Sequence, residues 1–131
     1  MNPAMQQDLG KLVLRLSLGI LVLLHGIAKL TGGIGGIVGM VEGAGLPGFL
    51  GYAVLLGEVV GPILLIVGFH ARIGAALVAL NMLVAIALAH MGELTSLGQS
   101  GGWALELQGM FLFTAIALVF LGPGRFSANQ R

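Results

Sequence analysis

Cysteine is absent from this chain, and with it go disulfides, thiolate metal sites and thiol nucleophiles. Charge is scarce as well. Asp, Glu, Lys and Arg together make up 8% of the 131 residues, against about 25% in an ordinary soluble domain. A water-facing surface cannot be assembled from that supply. The net charge of +1 offers no basic field for nucleic acid. Also missing are an H-E-x-x-H pair, a G-x-G-x-x-G turn after a strand and a P-loop, so the common zinc-protease, dinucleotide and nucleotide-phosphate signatures are excluded.

What remains is apolar and small: 57% hydrophobic residues and 23 glycines. The hydrophobic residues fall in four runs, at 12–30, 50–69, 73–91 and 103–121, each close to the roughly 20 residues needed to cross a bilayer. Glycine in such runs allows helix backbones to approach closely. The first run is longer than the roughly 7–15 residues of a signal-peptide core and ends without an A-x-A cleavage site. It therefore reads as a spanning helix, with Asp8 placed to cap it. The expected fold is all-α: one domain over 1–131, a transmembrane four-helix bundle with spans near 9–30, 50–69, 72–91 and 103–121.

Between the first two spans, Ile34, Ile37, Val38 and Val41 recur at i, i+3, i+4 and i+7, the pattern of a one-sided helix. This predicts a short amphipathic interfacial helix ended by Gly43-Ala44-Gly45, followed by an extended Leu46-Pro47. A flexible glycine loop is the competing reading. His70-Ala71-Arg72 is too short a link to let spans two and three be anything but antiparallel neighbours. Lys11, Arg15, Arg72, Arg125 and Arg131 fall on one side of this topology and Lys29 alone on the other. The bias predicts cytoplasmic termini in a bacterial inner membrane.

The polar residues inside the runs are the candidate site. At about 100° per residue, Lys11, Arg15, His25 and Lys29 share an arc of roughly 80° on helix one. A charge at the bilayer centre costs about 2.5–3.5 kcal/mol on insertion scales, so that face should look at other helices. Glu58 lies mid-span in a Gly57/Gly61 frame beside Pro62, and Asn81 lies at similar depth in span three. His90, Trp103 and Glu106 cluster with His25 and Lys29 toward the other end. Glu58 is the candidate proton relay; His25, Lys29, Asn81, His90, Trp103 and Glu106 are candidate ligand or quinone contacts. Each also has a structural reading: Glu58 as hydrogen-bonding glue to Asn81, Lys29 and Arg15 as snorkelling anchors, Glu106 as a packing ion pair, Trp103 as an aromatic-belt anchor and His90 as a solvated helix end. Asn81 and His90 lie about 180° apart on an ideal helix and cannot both face one narrow centre. No metal site is assigned.

The segments LRLSLGILVLLHGIAKL (14–30), AGLPGFLGY (44–52), LLGEVVGPILLIVGFHARIGAALVALNMLVAI (55–86), GGW (101–103) and LGPGRFS (121–127) together resemble the DoxX family of small four-helix membrane proteins. Its H-G-x-x-K-L falls on His25, Gly26, Lys29 and Leu30, its membrane glutamate on Glu58, its turn arginine on Arg72, its helix-three methionine on Met82 and its closing G-P-G-R on 122–125. Where relatives often place an acid directly after the tryptophan, this chain has Ala104 and Leu105, with Glu106 a turn later. The resemblance implies a membrane partner of redox or stress-defence enzymes, the family's name coming from a subunit associated with thiosulfate:quinone oxidoreductase. Three functions follow: a quinone-linked redox subunit, with quinone the candidate cofactor; a non-catalytic anchor or assembly partner of an oxidoreductase; or a small-solute or proton carrier. Expected partners are the lipid bilayer, a redox enzyme and further copies of the chain, with no nucleic acid.

Overall fold

A computed structural model describes residues 2–33, 35–89 and 105–129. Among these residues all regular secondary structure is helical. Helix α1 runs Pro3–Gly32, starting well before the expected residue 9. The correction has a local cause. Asn2 accepts a 2.8 Å bond from the Met5 amide and Pro3 occupies the first turn, a start signal stronger than Asp8. Asp8 lies inside the helix and pairs with Arg125 instead, Nε to Oδ2 at 3.1 Å.

The predicted short helix is present as α2, Gly35–Gly43. It ends where the Ala44 and Leu46 amides fold back onto the Val41 carbonyl at 3.1 and 3.2 Å, and Gly45 takes φ +84. Val41 is buried, and α2 packs against α3 and α5.

The second run is one helix with an irregular centre: α3 (Leu50–Leu55), a π-helical turn (Leu56–Val60) and α4 (Gly61–Val67). Gly68 then turns left-handed at φ +78 while its amide and that of Phe69 both donate to the Leu64 carbonyl, closing the helix as a glycine C-cap does. The link is thus 68–70 rather than 70–72, and Arg72 belongs to the first turn of α5, Ala71–Ala89. Helix α6 spans Glu106–Leu121 and stops at Gly122. Both α4 and α6 pack on α5, and α1 packs on α4 and α6.

The α4–α5 contact is backbone on backbone. A Cβ on Gly61 would stand 3.0 Å from the Gly74 carbonyl oxygen, and one on Gly74 would stand 2.7 Å from that of Gly61. The core behind it is Leu18, Val22, Leu65, Ala75, Val78, Leu112, Ala115 and Leu118. The outside is equally apolar, with Phe120 77%, Val13 61% and Phe113 60% exposed. An apolar exterior of this extent needs lipid or protein around it. Pro3–Gly32 and Leu50–Val67 are long and apolar enough to cross a membrane; α5 and the described part of α6 are shorter apolar helices.

Helix ends gather at one pole, and the tail is built into it. Arg15 is 1% exposed and donates from Nη1 to the Leu65 carbonyl at 3.0 Å and from Nη2 to the Phe126 carbonyl. It is a clamp between α1, α4 and the tail, not the snorkelling anchor expected. The amides of Ala128 and Asn129 donate to the Val67 and Gly68 carbonyls, while the His70 amide donates to Asn129 Oδ1 at 2.8 Å. Arg72 reaches the Val119 carbonyl at 3.1 Å, placing a cation on the negative end of α6.

Candidate functional site

The irregular centre of the second helix has a sequence cause. Pro62 has no amide hydrogen to give the Glu58 carbonyl one turn back, and the chain widens into the π turn directly before it. Such turns often sit at functional positions. Gly26 of α1 abuts this place: a Cβ there would overlap the Glu58 carbonyl oxygen. On the other side, a Cβ on Gly57 would lie 3.0 Å from the Leu77 carbonyl and overlap Asn81. Two neighbouring helices therefore close on Glu58 through glycines.

The Glu58 side chain is 3% exposed and accepts a 3.1 Å bond from Asn81 Nδ2. An amide donor satisfies either the ionised or the protonated carboxyl, because Oε1 can remain the acceptor in both. The bond therefore survives a change of protonation. The pair stands between two spaces. Glu58 lines a cavity of about 180 Å³ with His25, Met82, Gln108, Phe111 and Val22. Asn81 lines an apolar groove of about 290 Å³ with Val41, Leu46, Leu50, Val54 and Leu77.

His25 lies at the rim of the first cavity, still largely exposed. Its Nδ1 is 2.9 Å from the Leu21 carbonyl. A carbonyl only accepts, so Nδ1 carries the proton and, in the neutral ring, Nε2 is left as an acceptor. The ring meets Phe111 edge-on, centroids 5.8 Å apart.

The predicted residues are only partly assembled. Glu58, Asn81 and His25 come together around the cavity wall. Lys29 follows His25 by one turn of α1, but its side chain lies outside the described residues, as do His90 and Trp103 altogether. Glu106 is exposed in the first turn of α6 and is not among the cavity's lining side chains. Gln108 is there instead. Residues two positions apart on a helix, as Glu106 and Gln108 are, lie about 200° apart, so when one faces inward the other faces out. Gln108 is the other polar residue in that run's first turns, but an uncharged amide does not stand out as a site candidate beside Glu106. Among the described residues no three His, Asp or Glu side chains gather as a metal-binding group.

No solved structure matches the chain. A protein of Bacillus subtilis (strain 168) named "Putative oxidoreductase CatD" is 34% identical over 79 residues, which are 60% of this chain and 58% of that relative. The chain thus matches little more than half the relative's length. The DoxX family profile matches residues 10–91, which takes in most of α1, the π turn with Glu58, and α5 with Asn81. This chain belongs to the DoxX family of membrane proteins.

Proposed function

We propose that this protein is the membrane subunit of a quinone-linked redox system, with its helices arranged as a four-helix bundle in the bacterial inner membrane and both termini cytoplasmic. The quinone head would enter the cavity beside Glu58. The observation that carries this reading is the buried carboxyl at the wall of a partly open cavity of about 180 Å³ with a mixed polar and apolar lining. A void of about 150 Å³ lined by apolar side chains takes up benzene, so a six-membered ring fits. His25 Nε2 and the Gln108 amide supply hydrogen-bonding groups for ring oxygens, and Glu58 would exchange the proton that accompanies quinone reduction. The oxidoreductase name of the Bacillus relative supports an association with redox chemistry.

A second reading rests on the Glu58–Asn81 bond itself. A carboxyl held by an amide from the adjacent helix, between glycine contacts, is also a way to fix helix packing. The protein would then be a non-catalytic anchor or assembly partner of an oxidoreductase. Two measurements separate them. Quinone extracted from the purified protein should approach one per chain, and Glu58→Gln should fold, keep the bond to Asn81 and lose quinone reduction by the partner enzyme. Quinone-free protein that co-purifies with an enzyme, or a fully active Gln variant, would leave Glu58 as packing alone.

A further inference from the structure

The tail-bearing pole carries a pocket that the proposed redox site does not use. Lys11, Arg72 and Arg125 surround a space of about 370 Å³, floored by Leu121, Pro123 and Gly124, with Asp8 as its one carboxylate. Much of this charge is already engaged. Arg125 Nε holds Asp8 at 3.1 Å, and Arg72 Nη1 covers the end of α6 through the Val119 carbonyl. Lys11 is different. It forms no hydrogen bond or ion pair among the described residues, and its stem runs beside Gly124, whose added Cβ would meet the Lys11 Cβ and Cδ at 3.4 Å. The guanidinium groups retain unused N–H donors, since each has five. The pocket thus combines one ammonium outside any direct ion pair with two partly satisfied forks against the single carboxylate of Asp8, a net-positive set that suits a singly charged phosphate oxygen pair.

Its depth suits the same ligand. Helix α1 has 30 residues and is about 45 Å long at 1.5 Å per residue, against a hydrocarbon core of about 30 Å. Lys11 lies eight residues, about 12 Å, inside its first residue. Around it α5 begins at Ala71 and α6 ends at Leu121; in the four-span topology proposed above, on which this inference rests, that is where the helices leave the hydrocarbon for the headgroups. Basic pockets between helix ends at that level hold lipid phosphates. We propose that the Lys11–Arg72–Arg125 pocket binds a phosphate-bearing anion, supplied by the membrane as the phosphodiester of a net-anionic phospholipid.

Native mass spectrometry of the whole protein, released from vesicles of equal phosphatidylglycerol and phosphatidylcholine, tests this. One phosphatidylglycerol per chain should be retained in preference to phosphatidylcholine. Lys11→Gln should reduce the preference about fivefold, the worth of one cation near a membrane surface, and Lys11→Arg should restore it. Arg125→Gln should reduce it as well; circular dichroism establishes that each variant keeps its helices. In uncharged detergent, thermal protection by phosphatidylglycerol but not by inorganic phosphate assigns the site to lipid. Equal protection by phosphate, lost in Lys11→Gln, keeps the anion site and makes its source soluble. Equal retention of the two lipids, or a preference unchanged in Lys11→Gln, overturns the proposal.

Discussion

Three glycines of α1 meet three different neighbourhoods, so one substitution made at each separates packing from helix propensity. An added Cβ at Gly10 meets nothing within 4 Å. Alanine there should stabilise by about 0.5–1 kcal/mol, the ordinary advantage over glycine inside a helix. At Gly19 it meets the Ile66 side chain at 2.7 Å and the Pro62 carbonyl oxygen at 3.1 Å. Ile66 can turn away but the carbonyl cannot, and the two effects should nearly cancel. At Gly26 it overlaps the Glu58 carbonyl oxygen and stands 2.8 Å from the carbonyl carbon. Backbone in a π turn has nowhere to go, so α1 must move off. Overpacking of this kind costs about 1–3 kcal/mol, and the propensity gain recovers less than one, leaving a net loss of about 1–2 kcal/mol. Helix melting followed by circular dichroism in one micelle system should therefore rank the midpoints Gly10→Ala above wild type, Gly19→Ala near it and Gly26→Ala a few degrees below. If Gly26→Ala melts together with Gly10→Ala, the close approach of α1 to the Glu58 turn is refuted.

Arg15→Ala should destabilise by about 3 kcal/mol: two charge-assisted bonds are each worth roughly 1.5–3 kcal/mol, less the burial penalty of the cation that is removed with them. It should also release the tail, seen as faster trypsin cleavage after Arg125; unchanged cleavage would sink the clamp. Arg72→Gln should cost about 1 kcal/mol at the C-terminus of α6, read as about fivefold faster hydrogen exchange at the Gly122 amide, which donates to Leu118. For orientation, a cysteine replacing Ala44 should react with an impermeant thiol reagent on intact cells and one replacing Ala128 should not, against a native chain without cysteine; the reverse pattern would invert the topology.

Features that rest on side-chain pattern were legible in the sequence. The spacing of Ile34, Ile37, Val38 and Val41 announced α2, and the matched depth of Glu58 and Asn81 announced their bond. Features that rest on backbone acceptors were not. Arg15 binds carbonyls of Leu65 and Phe126, which every residue possesses, so no spacing marks them as its partners. The tail looked merely polar because its docking runs through the carbonyls of Val67 and Gly68. Helix α1 began early because two turns of polar residues continue a helix as readily as apolar ones once Asn2 and Pro3 have started it. On α6 the charge of Glu106 stands out in the sequence and the amide of Gln108 does not, although rotation alone decides which of the two lines the cavity.

The Arg15 clamp also orders events during biosynthesis. Its second acceptor, on Phe126, is 111 residues further along the chain. At a translation rate of about 5–20 residues per second, the ribosome needs roughly 6–22 s to deliver it. Throughout that interval α1 carries a guanidinium with at least one of its two carbonyl partners still unmade. Phe126, made 111 residues after Arg15, thus completes the contacts that seat α1.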